Sequence, residues 1–123
     1  MSEVSPARRT AFAVLRRVFE DGAYADRVFP SESASLDERD RALARRIAYG
    51  SVQRARTLDH AIETLGRRPV RKLDPPVRAA LRLGTYQLAF LDGVPRYAAV
   101  NESVELVRGA GLERAVPFAN AVL

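Results

Sequence analysis

The sequence predicts an all-α fold, and three observations carry that prediction. Apolar residues recur at spacings of three and four through every long stretch, and nowhere alternate with the period of two that a half-buried strand needs. Serine, aspartate and proline open these stretches where helix starts favour them. A chain of 123 residues that is 47% hydrophobic and 28% charged has the make-up of a single folded domain with a real core.

The elements follow in order. Ser5 before Pro6 reads as an N-cap with proline at the first helical position. Ala7, Ala11, Val14, Leu15 and Val18, flanked by Phe12 and Phe19, form one stripe. Arg9, Arg16 and Arg17 fall opposite it, and Gly22 is the stop. A short apolar piece over 23–29 precedes a polar stretch over 30–35. Ser35-Leu36-Asp37-Glu38 then fits a capping box, with Asp37, Glu38 and Asp40 suited to the positive end of a helix. Leu43, Ile47, Gly50 and Leu58 carry the next stripe, and Ile62 and Leu65 extend it. That helix either runs to Leu65 or breaks near Ala55, and Gly50 marks a kink or a close helix crossing.

Residues 66–72 are a basic connector. Asp74 and Pro75 open the following helix, whose Val77, Leu81, Gly84, Leu88 and Leu91 are widened by Leu83, Gln87 and Phe90 into a face covering much of the circumference. Glycine at position 84 costs roughly 1 kcal/mol against alanine, which a closely approaching neighbour helix justifies. Residues 92–95 form a turn, Val100, Val104 and Val107 define another helix ended by Gly109-Ala110-Gly111, and Pro117 starts the last. The sequence stops at 119–123 inside an apolar pattern, without a C-cap or polar tail. That ending reads as one domain, 1–123, cut from a longer chain.

Composition removes whole classes of function. With no cysteine there are no disulfides or thiolate metal sites. No run of eighteen apolar residues spans a membrane, residues 1–6 lack the apolar core of a signal peptide, and the expected compartment is the cytoplasm. No Gly-rich loop follows a strand, so nucleotide fingerprints are absent. His60 stands alone in mid-helix without metal-ligand spacing around it, and Glu102 and Glu105 read as a charged helix face. The expectation is no catalytic residue, no metal and no cofactor in this chain.

What remains is electrostatic. The net charge is +5 and the pI about 10.4, and Lys72 is the only lysine. A GC-rich coding bias accounts for arginine replacing lysine but not for the excess charge, which points to a polyanion. Arg8 and Arg9 occupy a first helical turn, where the helix dipole also attracts anions, and Arg16 follows on the same helix. Arg45 lies beside Tyr49, near Arg41, Arg46, Gln53 and Arg56; Arg78, Arg82 and Tyr86 are spaced i, i+4, i+8. Arginines beside a tyrosine can hold a phosphate and stack an unpaired base. The competing reading is that arginine stems merely cover helix surface and that Tyr86 is partly core. The 67–72 connector reads as a solvated loop that adds attraction without specificity.

Residues 68–88, with Lys72-Leu73-Asp74-Pro75 and Gly84-Thr85-Tyr86-Gln87-Leu88, followed by Val94-Pro95 and 98–106, resemble the NusB family. Ala7-Arg8-Arg9, Asp40-Arg41-Ala42-Leu43, Tyr49-Gly50, Leu58-Asp59 and the closing Asn120-Ala121-Val122-Leu123 extend the resemblance over essentially the whole chain. Within that family the chain is most similar to the N-terminal domain of RsmB (Sun/Fmu-type) 16S ribosomal RNA cytosine methyltransferases. The resemblance implies a NusB-like bundle of two packed helical subdomains and RNA binding through the basic first helix at Arg8 and Arg9. It also implies a structural role for Asn120 and a helix crossing at Gly84. A separate C-terminal domain would bind S-adenosylmethionine and attack cytosine through a cysteine, which this chain lacks. The alternative is a stand-alone antitermination factor binding boxA RNA with ribosomal protein NusE. Gln87, where free-standing members commonly carry glutamate, and the abrupt end favour the methyltransferase form.

Overall fold

A computed structural model of the chain describes residues 4–123. Among these residues the backbone forms seven α-helices and two 3-10 turns, with no strand. The helices are α1 (Pro6–Asp21), α2 (Ala25–Glu32), α3 (Glu38–Gln53), α4 (Ala55–Gly66), α5 (Pro75–Phe90), α6 (Arg96–Gly109) and α7 (Val116–Val122). The turns lie at Val70–Lys72 and Glu113–Ala115. The all-α expectation holds. Helices α1, α2 and α3 pack on one another, α4 and α6 pack on α7, and α5 touches α1, α3, α4, α6 and α7, joining the two groups.

Local chemistry sets the helix ends. Ser5 caps α1 by accepting from the Arg8 N–H, Pro6 sits in the first turn, and Gly22, at φ 71°, closes the helix by donating to the Arg17 carbonyl. Helix α3 is capped two residues later than the Ser35 box suggests: Asp37 Oδ1 accepts from the Asp40 N–H at 2.8 Å. Asp37 has the extended backbone that a cap requires. The 30–35 stretch is partly helical, because α2 continues through Pro30 to Glu32. Proline removes one N–H, and burial of Val28 and Phe29 in the adjoining turn holds the helix across that gap. The second long stripe breaks at Arg54, separating α3 from α4. Asp74 precedes Pro75 at the start of α5 as expected, although its carboxylate makes no capping bond.

Helix α5 is the axis of the core. Val77, Ala80, Leu81, Leu83 and Gln87 are buried around its circumference, which is what a stripe widened beyond one face requires. Two glycines set how closely its neighbours approach. A Cβ on Gly50 would lie 2.0 Å from Tyr86 Cζ, so α3 crosses α5 there and Gly50 marks the crossing, not a kink. A Cβ on Gly84 would lie 2.7 Å from Ser103 Oγ of α6 and 3.1 Å from Leu123. No helix among the described residues is long and apolar enough to cross a membrane.

Candidate nucleic-acid interface

The opening arginine pair divides between core and surface. Successive helical residues point about 100° apart, and Arg8 shares the inward side of α1 with Ala7 and Ala11. Its Nε donates to Gln87 Oε1 at 2.7 Å. Its Nη1 donates to Ser5 Oγ at 3.1 Å and to Glu102 Oε2 at 3.2 Å. The other Glu102 oxygen accepts from the Ser5 N–H at 2.7 Å, and the Gln87 amide donates to the Leu83 carbonyl at 3.1 Å. This network fastens the start of α1 to α5 and α6. Arg8 is therefore a structural residue, where the sequence suggested an RNA contact. Arg9 faces solvent and donates to the Val4 carbonyl at 3.3 Å.

The Arg78–Arg82–Tyr86 row turns inward as well. Arg82 holds both oxygens of Asp59 at 2.7 and 2.8 Å, with its guanidinium 4.2 Å from the Phe19 ring centroid. Tyr86 is buried against Gly50 and stacks on Phe90 with centroids 5.6 Å apart. Arg78 is half-buried, and its charge acts on the carboxylate of Glu20. The row reads as an exposed face only if α5 has a free side; because α1, α3 and α4 cover that side, it has none. The reading of Tyr86 as core is the one that holds.

Arg16 is held on its own helix. Its Nε and Nη2 donate to Glu20 at 2.6 and 3.1 Å. That hydrogen bond, helped by the charges of Arg16 and Arg78, lowers the Glu20 pKa against a smaller opposing effect of burial. A lowered carboxylate pKa means the pair's stabilisation is complete above the ordinary carboxylate value and disappears as pH falls through the lowered one. Glu20→Gln should therefore flatten part of the acid limb of a Tm–pH profile. At neutral pH it should shift Tm by no more than about 2 °C, as for other surface pairs.

Arg45 and Tyr49 do come together. The exposed Arg45 guanidinium lies 4.7 Å from the Phe29 centroid and 5.6 Å from that of Tyr49. The Tyr49 hydroxyl donates to Asp26 at 2.8 Å. Burial first, then that bond, raises the Tyr49 pKa, so the phenol stays a neutral donor. Arg41 is occupied with the Ser33 and Leu36 carbonyls.

A groove of about 510 Å³ opens between the starts of α1 and α3 and the 92–95 turn. The N-cap residues of three helices, Ser5, Asp37 and Pro95, line it. Arg39 and Arg46 enter it from α3, one turn either side of Leu43, and both are exposed. No salt bridge holds either of them among the described residues. Asp37, Asp40 and Asp92 also line it, giving the groove acceptors as well as donors, a mixture suited to base edges as much as to phosphates. Sequence reasoning passed over Arg39 and treated Arg46 only as a neighbour of Arg45. Their i, i+7 spacing around a leucine was the available signal.

The acidic and basic side chains elsewhere on α4 and α6 have partners or face water. Glu105 pairs with Arg108, Glu102 with Arg8, and His60 is exposed. Among the described residues no three His, Cys, Asp or Glu side chains stand close enough to hold a metal ion.

The profile of the NusB family matches residues 5–123. The chain belongs to the NusB family. Among its NusB-family relatives, a probable ribosomal RNA small subunit methyltransferase B of Synechocystis sp. is 40% identical over 119 residues, covering 95% of this chain and 27% of that protein. The corresponding Bacillus subtilis protein is 30% identical over 118 residues, covering 94% and 26%. The transcription antitermination protein NusB of Halorhodospira halophila is 38% identical over 91 residues, covering 74% and 59%. The chain thus spans about a quarter of the length of the methyltransferases it matches. A crystal structure of antitermination factors NusB and NusE in complex with dsRNA superposes with a TM-score of 0.87 at 28% identity, covering 95% of this chain and 89% of that one. The solution structure of NusB from Aquifex aeolicus gives a TM-score of 0.77 at 28% identity, covering 94% and 81%.

Proposed function

We propose that this NusB-family chain binds ribosomal RNA and positions it for a 5-methylcytosine methyltransferase domain on the same polypeptide. The observation that carries the reading is the end-to-end match to a ribosomal RNA methyltransferase of which this chain covers 27%. A net charge of +5 supports a polyanionic partner. Arg39 and Arg46 line the groove, Arg9 and Arg45 are exposed on the two helices that flank it, and none of the four is held in a salt bridge among the described residues. Phosphates would meet Arg9, Arg39 and Arg46, and an unpaired base would stack on the exposed Arg45 guanidinium, which Phe29 and Tyr49 back from below.

The residues present do not suit S-adenosylmethionine. No strand-borne glycine loop exists among the described residues, and the sequence contains no cysteine to attack a cytosine. Cofactor and nucleophile would both reside on the other domain. This chain's own contribution would be to hold the RNA in register, which lowers the entropy cost of presenting one base to a distant active site.

A second reading, a stand-alone antitermination factor working with a NusE-type protein, is favoured by the match to the Halorhodospira halophila NusB and by the superposition on the NusB–NusE–dsRNA structure. One experiment separates the two. The uninterrupted reading frame containing this chain is expressed and assayed for S-adenosylmethionine-dependent methylation of small-subunit rRNA, with Arg9→Ala/Arg39→Ala/Arg46→Ala alongside. Methyl transfer, and a fall of about 2 to 3 in the slope of log Kobs against log salt for the triple variant, is the expected result. A frame ending soon after Leu123, with boxA RNA bound more tightly when NusE is added, would establish the second reading instead.

A further inference from the structure

The 67–72 connector is more than a solvated loop. Glu63 grips it twice: its carbonyl accepts from the Arg67 N–H at 2.8 Å and its carboxylate from the Val70 N–H at 2.8 Å. Two further bonds, Lys72 N–H to the Pro69 carbonyl and Leu73 N–H to the Val70 carbonyl, each 3.0 Å, close the 3-10 turn. Leu73 then plugs the segment into the core. Arg67, at φ 56°, is the single non-glycine residue with positive φ among those described. An arginine kept there, at a cost of order 1 kcal/mol, turns the chain so that Arg67, Arg68, Arg71 and Lys72 all emerge exposed from a pinned backbone.

A fifth exposed cation, Arg114, on the Glu113–Ala115 turn, shares with Arg68 a groove of about 480 Å³. Arg68 lines that groove, and a smaller adjoining pocket of about 110 Å³ adds Lys72 and Phe118. The Arg68 guanidinium lies 5.4 Å from the Phe118 centroid. The ring in turn packs against Gly66, where a Cβ would stand 2.8 Å from Phe118 Cζ. A guanidinium laid on a ring keeps its N–H edge free for an anion. Two carboxylates line this groove, Asp74 and Glu113. Glu113 is taken by Arg108, whose Nε lies 3.1 Å from both its oxygens. None of the five cations is in a salt bridge among the described residues.

This surface and the groove described above flank opposite ends of α5, one at Asp74 before it and one at residues 92–95 after it. Sixteen helical residues separate them, roughly 24 Å at 1.5 Å per residue.

We infer that the Arg67–Lys72 connector and Arg114 form a second RNA-backbone contact, so that one structured RNA is held at both ends of α5. The inference rests on the RNA-binding reading above. Around the groove and its adjoining pocket, three cations outside any salt bridge among the described residues, Arg68, Lys72 and Arg114, stand against one such carboxylate, Asp74, a balance that favours a polyanion over a protein surface of mixed charge.

The test uses a fluorescein-labelled helical fragment of small-subunit ribosomal RNA, titrated at several salt concentrations against four proteins. These are the unaltered chain, Arg68→Ala/Lys72→Ala/Arg114→Ala, Arg9→Ala/Arg39→Ala/Arg46→Ala, and the sextuple variant. The altered side chains are exposed and outside any salt bridge among the described residues, and thermal melts of all four should coincide within a few degrees. The expected result is that the connector variant binds on the order of tenfold more weakly and loses about 2 to 3 units of salt slope. The sextuple variant should lose the sum of both decrements. A connector variant indistinguishable from the unaltered chain, while the Arg9/Arg39/Arg46 variant is weakened, would overturn the second contact and leave the RNA-binding reading standing. No salt-dependent binding by the unaltered chain would overturn both. Retained binding on replacing Arg68 and Arg114 by lysine would mark the contact as charge-driven and support the inference.

Discussion

Alanine at Gly50 is expected to destabilise the fold by about 3 kcal/mol, the upper range for overpacking a closed site. For a chain of this length that lowers Tm by roughly 10 °C or more. The added Cβ would meet three ring atoms of Tyr86, at 2.0, 2.1 and 2.5 Å. The ring is buried and stacked on Phe90, which the Arg54 guanidinium meets at 4.3 Å, so it cannot swing away without giving up that packing. The helices must therefore separate, and α1 and α4 pack on the same α5. Urea unfolding of Gly50→Ala, Tyr86→Ala and the double variant checks the cause. Removing the ring alone leaves a cavity and costs about 3 to 5 kcal/mol. The double variant should cost at least about 1 kcal/mol less than the sum, since each change removes the other's clash or void. Strict additivity would show that the crossing is not what Gly50 protects.

Arg8→Ala should be the second large loss, about 2 to 3 kcal/mol, while Arg9→Ala stays within about 0.5 kcal/mol. Truncating Arg8 strands Gln87 Oε1, in a side chain 1% exposed, and leaves Glu102 with only the Ser5 N–H. A buried acceptor without a partner carries the full desolvation penalty. Arg8→Lys should recover only part of the loss, because one ammonium cannot reproduce the fork that serves Gln87, Ser5 and Glu102 together. Chemical denaturation measures the stability, and RNA titration of the same proteins separates the roles. Equal stability of the Arg8→Ala and Arg9→Ala proteins would contradict the buried network.

These neighbouring arginines show how far sequence reading reaches into the site. Both lie in the first turn of a helix opened by Ser5 and Pro6, and their charge and proximity to the helix dipole are the same on paper. What separates them is a partner 94 positions away, Glu102, together with Gln87 of α5. No local spacing encodes that contact. The Arg78–Arg82–Tyr86 row failed for a related reason. Helical spacing says which residues share a side of α5, but which sides are covered depends on how many helices pack there, and five helices cover most of the circumference of α5. The connector's arginines are plain in the sequence, while its 3-10 turn and the Glu63 carboxylate that holds the Val70 N–H, seven residues away, are not.

By itself the sequence determined the helical class and most helix ends, and it marked Gly50 and Gly84 without deciding between kink and crossing at Gly50. Those follow from interactions within a few residues: the caps at Ser5 and Gly22, the prolines at 6, 75 and 117, and stripes that only a 3.6-residue period aligns. Only the tertiary structure decided which cations remain available to a partner. A guanidinium is equally at home in water or clamped by a carboxylate, so its role is set by whether folding brings an acid, an aromatic ring or open solvent to its tip. Folding brought Glu102 to Arg8 and Asp59 to Arg82, and it left Arg9, Arg39, Arg46 and the Arg67–Lys72 connector facing solvent.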